Sequence, residues 1–175
     1  MTAILRARLT QQPLWEFALV LYGQPEVEQA CLALQDQALV DVCELLWRCW
    51  LLRHGAVPGP RSEKGLVEVL RWQREVTAPL RRLRRQLKPE AEVQPGVAAL
   101  RKTLKLAELK AERETLGRLE RLALTASPSA LIPAPSVGAE AAEKLLANAL
   151  CLQKKTHLST LHTLVASLDP PTTPR

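Results

Sequence analysis

The chain has 175 residues, a net charge of +6 and 47% hydrophobic residues, of which few are aromatic. That length fits one main domain with an appendage, and the apolar fraction argues against wholesale disorder. Leu and Ala must supply the core while β-branched and aromatic residues are scarce, so a large sheet is disfavoured and an all-α fold is expected.

The first expected helix runs over residues 14–22. Pro13 stands just before it, and Trp15, Ala18, Leu19 and Tyr22 share one face. Gly23 ends it. Residues 26–36 form the second helix, with Val27, Ala30, Cys31 and Leu34 as its apolar stripe. Residues 39–54 form a third, apolar around most of its circumference, which marks it as central to the bundle. Its one polar stripe is Asp41, Glu44 and Arg48. His54 near the negative end of the dipole and Gly55 just beyond close it.

A Pro-containing loop follows, and Ser62 is the expected N-cap of the next helix. Pro79 must kink that helix, but Trp72, Val76, Leu80, Leu83 and Leu87 keep one apolar line through it. A single kinked helix is therefore favoured over two unrelated ones. After a loop at 88–96, a long charged helix is expected over residues 97–124. Residues 126–138 read as a Pro-rich linker, residues 139–168 as a C-terminal helix or helical pair, and residues 169–175 as a frayed tail. Residues 1–125 are then the helical core domain, an irregular or orthogonal bundle of five to six helices. The C-terminal appendage either packs back on it or offers a partner surface.

Residues 1–8 carry basic side chains with no apolar segment behind them, so no secretory signal is expected. The most apolar run, 39–52, is broken by charges and shorter than the ~20 residues of a membrane span. Cys31, Cys43, Cys49 and Cys151 form no CxxC pair and lie in helical patterns. They read as reduced thiols in a cytoplasmic protein, the alternative being a disulfide from Cys31 to Cys43 or Cys49.

Charge is the most informative feature. Residues 71–88 hold seven basic side chains against Glu75 alone, an excess equal to that of the whole chain. Arg74, Arg81, Arg82, Arg84, Arg85 and Lys88 are the candidate partner-binding residues. On a helical wheel Arg81, Arg82 and Arg85 point away from the leucine stripe and Arg84 flanks it. Such a face suits an acidic protein surface, nucleic acid or anionic lipid; the plain alternative is a solvated face paired to neighbouring glutamates. No aromatic falls between Arg74 and Lys88, which weighs against nucleic acid.

A second feature is a candidate polar cluster of Asp36, Asp41, Glu44, Arg48, Glu108, Glu112 and Arg113. Its carboxylates, if convergent, would line a small-ligand site or an enzyme site. The plain alternative is structural salt bridges. No Glu-x-x-His pair accompanies them, and His157 and His162 fall on different helix sides, so no metal site is expected. Trp15, Trp47, Trp50 and Trp72 read as core anchors. No phosphate-binding glycine loop, nucleophile elbow or HExxH is present, so no cofactor is expected and a catalytic role is disfavoured.

Several segments together carry a resemblance: LWEFALVLY at 14–22, Pro25 and Val27, ACLALQD at 30–36, Asp41-Val42 leading into LLW at 45–47, Trp50-Leu51, Trp72, Val76, PLRRLRRQLK at 79–88 and KLAELKAER at 105–113. Over roughly residues 13–120 the chain resembles a small proteobacterial family of helical proteins, a domain of unknown function. The resemblance implies a bacterial cytoplasmic setting and no particular activity. Relatives carry Asn after the Asp-Val pair, where this chain has Cys43, so a polar contact there is lost or replaced. The matching positions include Asp36, Asp41, Glu108, Glu112 and Arg113, which supports a polar cluster between the third and fifth helices. From Ser127 onward the chain has no counterpart in that pattern.

The leading expectation is an interaction or regulatory factor that holds an acidic partner with residues 71–88. A nucleic-acid-associated factor using the same face, and a ligand or enzyme site on the acidic cluster, are the alternatives.

Overall fold

The computed structural model describes residues 3–125, 131–134 and 138–168. The remainder of the expected linker and the expected frayed tail at 169–175 lie outside the described residues. Helices follow in the order α1 (Ala3–Gln11), α2 (Leu14–Tyr22), α3 (Pro25–Ala38), α4 (Val42–Arg53), α5 (Pro60–Trp72), a π turn (Gln73–Thr77), α6 (Ala78–Gln86), α7 (Lys88–Ala91), α8 (Pro95–Thr125), α9 (Ala139–Ala149) and α10 (Lys155–Ala166). Among the described residues the fold is all-α apart from one short antiparallel ribbon, β1 (Ala56–Pro58) with β2 (Leu131–Pro133).

Helix α4 is the axis of the core. Leu45, Trp47, Cys49, Trp50 and Leu51 are fully buried, and helices α2, α3, α8 and α9 pack around it. It starts later than its apolar pattern suggests. Asp41 is the N-cap, its Oδ1 accepting the Glu44 amide hydrogen at 2.9 Å. Leu39 lies before that cap with φ 57° and closes α3 in the left-handed region, so the apolar run is split by a turn. The side chain of Leu39 is 89% exposed, so burial does not offset the strain of its backbone.

The helix expected to run on through Pro79 is present, and it is continuous: α5 passes through the π turn into α6, with Pro79 just after that turn. Ser62 is not the cap: α5 begins at Pro60 with Gly59 as N-cap, and Ser62 is buried inside the helix. The stretch at 88–96 is shorter as a loop than expected, because it contains α7. Helix α1 has no strong apolar face and was not legible in the sequence; Leu9 is its single buried residue.

The segment read as a linker does structural work at Leu131–Pro133. Those residues pair with Ala56–Pro58 in the register Ala56–Pro133, Val57–Ile132 and Pro58–Leu131. The C-terminal pair packs back: α10 lies on α3 and α9, α9 also touches α4, and Leu146, Leu161, Leu164 and Val165 join the same apolar core.

His54 stands at the C-terminal end of α4 as expected. It caps α4, but burial, with Arg53 and Arg8 nearby, lowers its pKa from 6.5 to about 4, so it is neutral at pH 7. Its ring meets Trp50 edge-on, with centroids 5.8 Å apart. Because the unfolded chain takes up the proton first, wild type should lose stability relative to His54→Gln as the pH falls from 6.5 to about 4, measured by thermal melts across that range. Leu39→Gly relieves the left-handed strain and should raise stability by about 1 kcal/mol in urea titration.

Candidate functional site

Helix α6 contains no buried residue, yet it lies along α8. The contact is ionic. Arg81 Nε donates to Glu108 at 2.8 Å and its Nη2 to Glu112 at 2.5 Å, while Arg84 donates to the other oxygen of Glu108. Glu108 is buried, and Arg81 and Arg84 keep about a fifth of their side-chain surface (21% each). Further out, Arg85 reaches Asp36 of α3 at 3.2 Å across an exposed gap. Arg81 thus points inward, against the helical-wheel reading, because α8 presents acids rather than leucines to this side of α6.

The two glutamates respond differently. Burial pushes the Glu108 carboxyl up, but hydrogen bonds from Arg84 and Arg81 outweigh it and hold it below its usual range. Glu112 has Arg81 alone, and burial holds its pKa above the usual range. Burial likewise raises Glu44, which pairs with Arg48 at 2.8 Å; Arg48 in turn grips Glu63 of α5 at 2.9 Å. Asp41 stands between these two networks, its charge helping to raise both Glu44 and Glu112. Its Oδ1 also accepts a hydrogen bond from Gln73 Nε2 in the π turn at 3.2 Å.

The candidate polar residues therefore divide. Glu108 and Glu112 join Arg81 and Arg84 under α6. Glu44 and Arg48 join Glu63 between α4 and α5, a partner the sequence did not single out. Asp36 sits at the outer rim with Arg85. Arg113 stacks on Trp15, its guanidinium carbon 5.0 Å from the ring centroid, and Arg118 covers Trp72 at 4.0 Å. Trp47 and Trp50 are core anchors as read, but Trp15 and Trp72 are half-buried platforms for arginine. Among the described residues no group of three or more His, Cys, Asp or Glu side chains is arranged to hold a metal ion.

Beside the Arg81–Glu112 pair opens a groove of about 400 Å³ between α2, α3, α4, α6 and α8. Trp15, Leu19, Leu32, Leu46, Leu109 and Leu116 make its apolar walls. Cys43 lies at its base, close to the Gln73 side chain and 4.0 Å from the Glu112 carbonyl oxygen; burial, Asp41 and Glu112 all raise its thiol pKa. Cys43 is thus a protonated, inert thiol and no nucleophile. Burial and nearby Cys31, Glu28 and Glu112 push the Tyr22 phenol up to about 12.

A family model described as a protein of unknown function, DUF2390, matches residues 13–119. The chain belongs to this family. No curated protein and no solved structure matches the chain. The groove and the α6–α8 ion pairs lie wholly within the DUF2390 region, whereas α1, β2, α9 and α10 lie outside it.

The remaining basic candidates face outward. Arg74, Arg82 and Lys88 are exposed and have no ion pair among the described residues. No helix among those residues is long and apolar enough to cross a membrane.

Glu108→Gln removes the charge that two arginines share and should cost about 3 kcal/mol, whereas Arg85→Ala at the exposed pair should cost under ~1 kcal/mol. Paired urea titrations of the two variants check this.

Proposed function

We propose that this DUF2390 protein is a cytoplasmic interaction factor that receives an acidic protein surface on the exposed cations of the π turn, α6 and the start of α7. The observation that carries this reading is the division of the basic residues. Arg81 and Arg84 are committed to Glu108 and Glu112, while Arg74, Arg82 and Lys88 stand exposed without an ion pair among the described residues. Cations carried on a clamped helix and on the turns directly joined to it need little reordering to bind, and this favours an electrostatically steered contact.

A catalytic reading has less support. The buried carboxylates of the site pair with arginine, the cysteine at the groove is protonated, and no histidine lines it. The four cysteines are free, in keeping with a reducing compartment. Nucleic acid would use the same outward cations, but no aromatic side chain stands between them for base stacking.

The variant that tests the proposal is Arg74→Glu/Arg82→Glu/Lys88→Glu, which leaves the inward arginines in place. A fluorescent Glu-rich peptide should bind wild type and lose about tenfold or more in affinity with the variant, at unchanged helicity by circular dichroism. Equal binding to both proteins would defeat the reading. Tighter binding of an RNA or DNA oligonucleotide, with a steep salt dependence lost in the variant, would transfer the face to nucleic acid.

A further inference from the structure

Beyond that outer face, the groove has the character of a small-molecule site. Its volume of about 400 Å³ falls within the range of ordinary ligand pockets. Its mouth is ringed by leucines that the fold leaves in water: Leu19 is 55% exposed, Leu109 50% and Leu32 39%. Apolar surface gathered around a concavity is what an apolar ligand would cover.

The charges are sorted to match. Deep in the groove Arg81, Arg84, Glu108 and Glu112 satisfy one another and sum to zero. That floor has no uncompensated charge to offer a ligand, so an apolar body suits it. The groove lining as a whole holds four basic side chains against three acidic ones, and Lys105 is the one of these cations without an ion pair among the described residues. An ammonium with no partner beside apolar walls favours an anionic head group.

We infer that the groove binds a small amphipathic carboxylate, its apolar body between Leu19, Leu32, Leu46 and Leu109 and its head group at Lys105. The Trp15 ring on the same wall makes intrinsic fluorescence a direct reporter. This site is independent of the acidic-partner face, since it uses Lys105 and the groove rather than Arg74, Arg82 and Lys88.

The experiment titrates the full chain with decanoate, decanol and decyltrimethylammonium, following tryptophan fluorescence and calorimetry. Decanoate should bind saturably at one equivalent, about tenfold more tightly than decanol, with the cationic homologue weakest. Lys105→Glu should weaken decanoate about tenfold or more and leave decanol unchanged; Leu109→Ser should weaken both. The triple variant at Arg74, Arg82 and Lys88 should bind decanoate as wild type does. Failure of decanoate to saturate, equal affinity for all three head groups, or indifference to Lys105→Glu would each overturn the inference. A loss of peptide binding with decanoate binding intact would confine any failure to the outer face.

Discussion

Glu108 decides where α6 can sit. A helix with no buried side chain has no hydrophobic contact of its own strong enough to fix it. Its seat against α8 is set by one buried carboxylate accepting from two guanidinium groups, with Glu112 as a fourth participant. Taking Glu108 out of water is costly, and only the two-arginine arrangement offsets that cost. The clamp is therefore sensitive to geometry in a way an apolar seam would not be. The groove depends on it as well, because Arg81, Arg84, Glu108 and Glu112 form part of its lining.

The elements legible in the sequence were those with a strong apolar period. Helix α2 has the expected bounds, and α3, α4 and α8 lie within a few residues of theirs. The helix that runs on through Pro79 was legible from its apolar line. Three features were not. The β1–β2 ribbon joins residues about seventy-five positions apart through a Pro-rich segment, and no local pattern encodes such a pairing. Asp41 resembled a member of a polar stripe, because a cap is recognisable only once the turn at Leu39 is known. Arg81 was assigned to solvent because a helical wheel assumes that leucines mark the buried side. Against an acidic neighbour, the inward side of α6 is the arginine side.

The site was legible as a composition but not as an arrangement. Asp36, Glu44, Arg48, Arg81, Arg84, Arg85, Glu108 and Glu112 take part in ion pairs, yet they sort into two networks and a rim pair rather than one centre. Glu63 and Gln73 complete these networks and carried no sequence signal, since each lies in a helix without a distinguishing neighbour. The groove was invisible for a related reason. Its walls come from five helices, and three of its wall leucines look like ordinary core residues until their exposure is known.

The π turn has a consequence for how this chain tolerates changes in length. A π turn holds one residue more than the α turn it replaces, so Gln73–Thr77 acts as a rotational offset between α5 and α6. Deleting one residue there would restore a plain α-helix and leave the faces beyond it where they are, whereas winding the same residues into an α-helix would rotate everything after them by about 100° around the helix axis. Arg81 and Arg84 would then swing away from Glu108, and Leu80 and Leu83 would turn towards α8. The phase of the whole basic segment, which cations are committed and which are offered to solvent, is thus held by one wide turn upstream of it.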